Sequence, residues 1–202
     1  MKILNLYAGI GGNRKLWGDD HEITAVEYKQ EIADIYHDFF PKDTMVVGDA
    51  HQYLLKHFEE YDFIWSSPPC PTHSLVRKNF VGKNNKPVFP DMKLYEGILF
   101  LQHYFKGKFC VENVKSFYKP LVSYQEMENH YFWTNFLISS LKTGKDREHY
   151  GTIGVLEDRK GFSLSKYKNV DKRLALKNCV EPELGKHILD CALGKQKQKS
   201  LI

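Results

Sequence analysis

The first 70 residues contain four short apolar runs that alternate with segments of helical character, and no other feature constrains the fold as strongly. The runs span residues 2–7, 22–27, 44–47 and 61–65, and the segments between them span residues 14–17, 30–39 and 51–59. The second of these segments has its apolar side chains at helical spacing. The order β-α-β-α-β-α-β predicts an α/β fold with a doubly wound, mostly parallel sheet.

The remainder of the chain continues this pattern less regularly. Residues 91–105 have the periodicity of a helix, 107–114 form a fifth apolar run, and 130–134 and 136–138 are rich in β-forming residues. Residues 143–160 are polar and show no periodicity, so no element is expected there. Residues 181–193 predict a final helix with proline in its first turn.

The size of the chain, 202 residues, suits one domain and is short for two, so we expect a single domain over residues 1–202. A hydrophobic content of 42% argues against disorder. Because no apolar run reaches 18 residues, the sequence predicts no membrane span. The net charge of +4 is compatible with a polyanionic partner but does not establish one.

The cysteines and histidines indicate neither disulfides nor a metal site. The four cysteines, Cys70, Cys110, Cys179 and Cys191, contain no CxxC pair, and no secretory signal precedes them. We therefore expect reduced thiols in a cytoplasmic protein. The nine histidines and four cysteines lack the spacing of zinc ligands, so no metal is predicted.

Chemically distinctive residues follow the end of each of the first four apolar runs. They are the glycine segment Gly9–Gly12, then Glu27, Asp49 and Cys70. Because ligands of open parallel sheets bind beyond the carboxyl ends of the strands, we expect these residues at one site. The glycine segment can bring backbone N–H groups close to a nucleotide-like ligand, or it can be a tight turn without a ligand. Glu27 can accept hydrogen bonds from a ribose or serve as the acidic start of the next helix.

Cys70 lies in a segment whose backbone is unusually restricted. The sequence Ser67-Pro68-Pro69-Cys70-Pro71 has three prolines in four residues, and each proline fixes its own φ and restrains the residue before it. A thiol mounted in this way predicts a nucleophile. Glu112 lies within the fifth apolar run, where burial of a charge is costly, so it is expected to have a partner or a chemical role.

A basic loop of about 20 residues follows Cys70 and Ser74. It carries Arg77, Lys78, Lys83 and Lys86. Loops of this length are usually functional or disordered. The loop can be a mobile flap that contacts phosphates or a solvated surface loop, and the sequence leaves both interpretations open.

The order of these motifs resembles that of cytosine-C5 DNA methyltransferases, in a compact form of the kind that phages carry. The matching segments are Tyr7–Gly12, Pro68-Pro69-Cys70, Glu112-Asn113-Val114 and Asn178-Cys179-Val180-Glu181-Pro182. The resemblance implies a Rossmann-like fold that binds S-adenosylmethionine. It implies three catalytic residues, Cys70, Glu112 and Asn113, of which Asn113 fixes the geometry of the cysteine loop. The cofactor-binding residues that it implies are Tyr7, Ala8, Gly9, Gly11, Gly12, Glu27, Tyr28, Asp49, Ala50, Pro68, Asn178 and Val180.

The chemistry implied is methyl transfer from S-adenosylmethionine to C5 of a flipped cytosine in DNA. The Cys70 thiolate would attack C6, and Glu112 would bond to or protonate N3. Ser74, Arg77, Lys78, Lys83 and Lys86 are expected to contact the substrate. Two alternatives remain: the same reaction on tRNA or other RNA, and a catalytically weak nucleic-acid-binding or regulatory protein. Amino-group methyltransferases are disfavoured because their Pro-Pro is normally followed by an aromatic residue rather than by cysteine.

Three departures from the family concern the target. Pro71 stands where glutamine commonly follows the cysteine, and the Gln-x-Arg-x-Arg motif is absent from residues 128–136. Only 42 residues (136–177) separate the last predicted strand from Asn178, too few for a separate target-recognition domain. A protein partner or a second copy is therefore expected to contribute to target recognition.

Overall fold

The computed structural model of the chain describes residues 1–80, 88–141 and 151–195, and for residues 78–80 it describes the backbone alone. Within these ranges there are seven strands and six α-helices. The strands are β1 (Lys2–Leu6), β2 (Glu22–Glu27), β3 (Thr44–Val47), β4 (Phe63–Ser66), β5 (Lys108–Val114), β6 (Gln125–Met127) and β7 (His130–Thr134). The helices are α1 (Gln30–Phe39), α2 (Ala50–His57), α3 (Lys93–Tyr104), α4 (Ile153–Lys160), α5 (Lys172–Lys177) and α6 (Pro182–Ala192).

All seven strands form one sheet, in the order β3-β2-β1-β4-β5-β7-β6. The first five strands of this order are parallel. β7 pairs antiparallel with β5, and β6 pairs antiparallel with β7. The predicted doubly wound, mostly parallel sheet is confirmed, and its strand order reverses between β1 and β4.

Helices cover both faces of the sheet because successive side chains of each buried strand point to opposite sides. On one face, Leu4 and Leu6 of β1 belong to a core cluster with residues of α2 and α3. On the other face, Ile3 packs in a cluster with Leu184 and Ile188 of α6, and α1 and α5 form a second cluster beside it. In the described residues, no helix has the length and apolar character needed to cross a membrane.

The first crossover differs from the sequence prediction, because residues 14–17 form turns rather than a helix. Three side chains tie this segment to other elements instead. Arg14 donates to both carboxylate oxygens of Asp43, at 2.8 and 3.1 Å, and both residues are buried. The Asn13 amide donates to Asn5 Oδ1 of β1 at 2.7 Å, and Trp17 Nε1 donates to the carbonyl of Gly185 at 3.0 Å. These contacts replace the hydrogen bonds of the expected helix.

Two further expectations were wrong. Residues 136–138 are not a strand, because the Gln125 side chain bonds their backbone: its amide donates to the carbonyl of Phe136, and its oxygen accepts from the N–H of Ile138. The segment 143–160 contains α4, which Thr152 caps at the start by accepting from the N–H of Val155. Gly161 ends that helix in the left-handed region, at φ 67°. Residues 143–150 of that segment lie outside the described residues.

The other predicted elements are confirmed with shifts of a few residues. The helix expected at 51–59 is α2 followed by a 3₁₀ turn, Phe58–Glu60. The helices expected at 91–105 and 181–193 are α3 and α6. The short strand β6 and the helix α5 are elements that the sequence pattern did not predict.

The buried ion pair of Arg14 and Asp43 leads to a first prediction. Asp43→Asn leaves the buried guanidinium with only the exposed Asp19, 3.6 Å away, as counter-charge, and Tyr36 Oη, which donates to Asp43 Oδ2 at 2.8 Å, loses a charged acceptor. We expect the free energy of unfolding to fall by about 3 kcal/mol or more, measured by urea denaturation. Asp38→Asn, which disturbs an exposed pair with Lys166, is the matched control and should change the stability little. An unchanged midpoint for Asp43→Asn would contradict this account.

Candidate active site

The carboxyl ends of four neighbouring parallel strands bring the predicted residues to one edge of the sheet. The glycine segment follows β1, Glu27 ends β2, Asp49 follows β3, and Cys70 lies four residues beyond β4. Glu112 lies in β5, beside β4. Between these strand ends is a narrow cleft, and its lining includes Tyr7, Ala50, Ser66, Pro68 and Val111.

The loop after β1 takes backbone conformations that most residues avoid. Tyr7, Gly9 and Gly11 have positive φ, at 56°, 55° and 85°. A Cβ added at Gly11 would lie 2.3 Å from the ring of Phe40, so a side chain is excluded there by space as well as by conformation. The chain thus turns sharply at the end of β1, and the loop packs tightly against α1 on its inner side.

Glu27 braces this loop from the end of β2. Its Oε2 accepts from the N–H of Gly9 at 3.0 Å, and its Oε1 accepts from the N–H of Lys29 at 3.1 Å. A carboxylate has about four lone-pair sites, so these two bonds leave capacity for the hydroxyls of a ligand. Both sequence interpretations of Glu27 are therefore compatible with its geometry.

Asp49 is the N-cap of α2. Its Oδ1 accepts from the N–H of His51 at 2.8 Å and from that of Gln52 at 3.1 Å. The bond from Gln52, with a smaller contribution from His51, keeps the pKa of Asp49 below its usual range despite some burial. Nearby, burial and then the charges of Asp49 and Asp91 raise the pKa of Tyr7 to about 12. Tyr7 is therefore a neutral hydrogen-bonding group at the start of the loop.

The segment around Asn178–Val180 packs directly behind the glycine loop. A Cβ at Gly12 would lie 2.2 Å from the carbonyl oxygen of Val180 and 2.4 Å from the Cys179 sulfur. Lys160 holds this segment in place, since its buried ammonium donates to the carbonyl of Cys179 at 2.5 Å and lies 2.7 Å from Glu181 Oε1. The resemblance leads us to expect Asn178 and Val180 at the cofactor; in the structure, the contact of Val180 is with the loop, and Asn178 is exposed at the end of α5.

The other expected cofactor residues differ in exposure. Ala8 is buried beneath the glycine loop, and Ala50 and Pro68 line the cleft. Tyr28 is 76% exposed next to Glu27, which leaves its ring available to a ligand at the end of β2.

Hydrogen bonds from neighbouring strands fix the proline-rich loop that carries Cys70. The amide of Asn113 donates to the carbonyl of Pro68 at 2.9 Å, and Trp65 Nε1 donates to Ser67 Oγ at 2.7 Å. Beyond the prolines, the carbonyl of Cys70 accepts from the N–H groups of His73 and Ser74 at 2.9 and 3.0 Å. Cys70 is therefore held from both sides, by β5 before it and by a turn after it.

The thiol of Cys70 is half-buried and lies within electrostatic reach of Glu112. Burial first, and then the charge of Glu112, raise the pKa of the Cys70 thiol. A raised pKa favours the thiol over the thiolate at neutral pH. The protein alone therefore holds its candidate nucleophile as a thiol. A cationic ligand or a proton acceptor next to Cys70 would favour the thiolate.

The Glu112 side chain itself is almost completely buried, at 6% exposure. Its Oε1 lies 3.5 Å from Nε2 of His130, the first residue of β7. No sequence pattern indicates His130, because the contact depends on the register of β7 against β5. His73, which is buried and contacts Tyr118 Oη through Nδ1 at 2.5 Å, is a second residue that sequence reasoning missed.

The substrate-binding residues expected in the basic loop are only partly described. Arg77 donates to the carbonyl of Pro71 at 3.0 Å, and Ser74 forms a bridge with Ser116. These two residues therefore brace the cysteine loop. The side chain of Lys78 and the whole of Lys83 and Lys86 lie outside the described residues.

The described residues contain no group of three or more histidine, cysteine or acidic side chains that could hold a metal ion.

This architecture defines the class of the protein: a Rossmann-like fold of S-adenosylmethionine-dependent methyltransferases. The Entamoeba histolytica methyltransferase EhMeth has the same fold, with a TM-score of 0.57 at 10% identity over 98% of this chain and 99% of that one. A structure of DNMT2 from Spodoptera frugiperda matches with 31% identity and a TM-score of 0.38, over 57% of this chain and 36% of that chain.

The sequence places the protein within that class. The profile of the family described as C-5 cytosine-specific DNA methylase matches residues 1–130, and the chain belongs to this family. Curated protein sequences gave no significant match. The family membership supports methylation of cytosine and agrees with the resemblance carried by the motifs.

The environment of Cys70 leads to a second prediction. Because only the thiolate is alkylated, the rate of Cys70 modification by iodoacetamide should rise with pH into the alkaline range. Glu112→Gln removes the negative charge that helps to raise the pKa, so it should increase the rate severalfold at about pH 8. Mass spectrometry of the labelled peptide measures both rates.

The three other cysteines are buried and should remain unlabelled, with Cys70→Ser as the blank. If Glu112→Gln left the rate of Cys70 alkylation unchanged, the proposed electrostatic coupling between the two side chains would be wrong.

Proposed function

We propose that this chain transfers a methyl group from S-adenosylmethionine to C5 of cytosine in DNA, through a covalent bond between Cys70 and C6 of a flipped base. The observation that carries the proposal is the fixed thiol beside a buried carboxylate. Asn113 holds the Pro68 carbonyl, and Glu112, its neighbour in β5, lies within electrostatic reach of Cys70. We further propose that the whole chain acts as one catalytic domain.

The residues at the strand ends fit S-adenosylmethionine. The left-handed loop at Gly9–Gly11 leaves its outer side free of side chains, Glu27 retains acceptor capacity for ribose hydroxyls, and Asp49 lies at the start of α2 next to the cleft. When bound, the cofactor supplies an electrophilic methyl group. Tyr7 and Pro68 line the cleft between these groups and the cysteine loop.

The residues around Cys70 then account for activation of the base. C5 of cytosine is a poor nucleophile, and attack of the Cys70 thiolate on C6 converts it into an enamine-like carbon. The attack pushes electrons towards N3, where Glu112 can provide a proton or a hydrogen bond. After methylation, loss of the C5 proton to a base such as water expels the Cys70 thiolate from C6.

DNA is the substrate that the family description favours, and the charge of +4 is compatible with a polyanion. The base has to leave its stack to reach a thiol held at the edge of the sheet, at a cost of a few kcal/mol. Arg77 braces the cysteine loop, so a phosphate that bound the basic loop would act close to Cys70. A partner protein or a second copy that aids target recognition stays a prediction.

A third prediction tests the covalent step. An oligonucleotide with 5-fluorocytosine should form a stable adduct with the protein in the presence of S-adenosylmethionine, because fluorine at C5 cannot leave as a proton. Denaturing gel electrophoresis detects the adduct. Cys70→Ser should abolish both the adduct and the transfer of labelled methyl, while it leaves cofactor affinity nearly unchanged.

Cys191→Ser is the matched control, since Cys191 is a buried thiol in α6 beside Ser139 and His187. This variant is expected to retain activity. The same experiment is run with a DNA oligonucleotide and with an RNA oligonucleotide. The polymer that forms the adduct is the substrate. If neither polymer were trapped or methylated while the cofactor still bound, the chain would be a binding protein rather than a methyltransferase.

A fourth prediction concerns the cofactor pocket. Gly12→Ala drives a methyl group into the backbone carbonyl of Val180, so the loop and the segment behind it have to separate. We expect the dissociation constant for S-adenosylmethionine to rise about tenfold or more, which corresponds to about 1.4 kcal/mol, by isothermal titration calorimetry. Gly154→Ala in α4, where an added Cβ meets nothing within 4 Å, is the control. Equal affinities in the two variants would place the cofactor elsewhere.

A further inference from the structure

His130 is the partner of the buried Glu112 carboxylate. β5 and β7 pair antiparallel, with Glu112 opposite Phe132 and Val114 opposite His130. Glu112 and His130 are thus diagonal neighbours on one face of the sheet, and His130 Nε2 lies 3.5 Å from Glu112 Oε1. The His130 Nδ1 atom is buried and has no hydrogen-bond partner among the described residues. The polar contact of the ring is therefore with Glu112.

Other charges near the pair are already matched or neutral. Lys115, next along β5, lies 2.6 Å from Glu126 Oε1 of β6. Cys110 of β5 is fully buried, and its pKa is raised well above the usual value by burial, so it remains a neutral thiol. Cys70, in the loop after β4, interacts electrostatically with Glu112. Glu128 lies in the turn before β7. Among the described residues, the basic side chain within 4 Å of the Glu112 carboxylate is His130.

We propose that His130 is a positioning residue that shares one proton with Glu112 and so supplies the proton that cytosine N3 takes up during attack by Cys70. This inference rests on the proposed function. The imidazole ring supplies what a lone buried carboxylate lacks: a second basic atom, 3.5 Å away, that can hold the proton.

The proton and electron changes balance as follows. Cys70 first gives up its thiol proton to water. The S–C6 bond then forms, the C5–C6 π pair shifts to C4–C5 while the C4–N3 π pair moves onto N3, and N3 gains the shared proton through Glu112. Glu112 remains as a carboxylate, and His130 remains neutral. When the Cys70–C6 bond breaks and aromaticity returns, N3 releases its proton to the Glu112–His130 pair. No oxidant or additional reactant is needed.

The experiment compares four proteins in single-turnover methyl transfer to a cytosine oligonucleotide over a range of pH. They are the unmodified chain, His130→Phe, His130→Gln and His57→Phe. His57→Phe is the matched control, since His57 also contacts a glutamate, with Nδ1 at 2.7 Å from Glu60 Oε1, but at the exposed end of α2. Binding of S-adenosylhomocysteine, measured by calorimetry, reports whether each variant is folded.

We expect His130→Phe and His130→Gln each to lower the rate by about tenfold or more, with cofactor affinity unchanged, and His57→Phe to match the unmodified chain. Glutamine keeps an N–H donor but cannot exchange a proton, so its failure to restore activity distinguishes proton sharing from simple orientation of Glu112. If His130→Phe does not bind S-adenosylhomocysteine, His130→Gln provides the test.

Full activity in His130→Gln would overturn proton sharing, and rates equal to those of His57→Phe in both variants would overturn any role for His130. The unmodified chain separates these results from failure of the proposed function. If it methylated cytosine in neither DNA nor RNA, the proposed function would fail, and the inference with it.

Discussion

The buried ion pair between Arg14 and Asp43 is the interaction on which the geometry of the glycine loop after β1 depends. The chain leaves β1 through a left-handed turn and does not continue into a helix, so the backbone after Gly12 has no regular hydrogen-bond ladder to hold it. Arg14 supplies the anchor instead, with two bonds to a carboxylate that comes just before β3. A shift of the loop would separate this buried pair and leave a charge uncompensated. The pair therefore favours one position of the loop. Together with the bonds from Asn13 to Asn5 of β1 and from Gly9 to Glu27 of β2, it fixes the glycine loop relative to the first three strands.

The same loop is closed from behind by the last part of the described chain. Gly12 fits against the backbone of Val180, and Gly185 of α6 fits against the backbone of Asn13, where a Cβ would lie 2.3 Å from the Asn13 carbonyl oxygen. Such contacts between two backbones tolerate no side chain, which is a physical reason for glycine at both positions. The family match ends at residue 130, but the candidate pocket includes a wall that is built from residues 178–185. The first and last elements therefore form the candidate pocket together.

The sequence predicted the sheet and the residues at its edge, because both follow from local patterns. Apolar runs define buried strands, and the strand ends then place the glycine segment, Glu27, Asp49 and Cys70 together. It did not predict contacts that depend on pairing between distant segments. Arg14 looked like the start of a helix because its partner lies 29 residues away, and α4 lacks a clear apolar stripe because few of its side chains are buried. His130 gave no signal because its role depends on the register of an antiparallel strand.

The candidate site places two opposing demands on Cys70 and Glu112. Burial and then the charge of Glu112 raise the pKa of Cys70 and so disfavour the thiolate that attack requires, yet the attack itself needs an acidic group close to N3. The proton that we propose Glu112 and His130 share would meet both demands. It would offset the negative charge near Cys70 and then move to N3 as charge passes from sulfur into the ring. A cationic cofactor at the neighbouring strand ends would favour the thiolate in the same way. The raised pKa of Cys70 therefore makes the nucleophile dependent on a filled site, and it protects a half-exposed thiol from alkylation and oxidation when the site is empty.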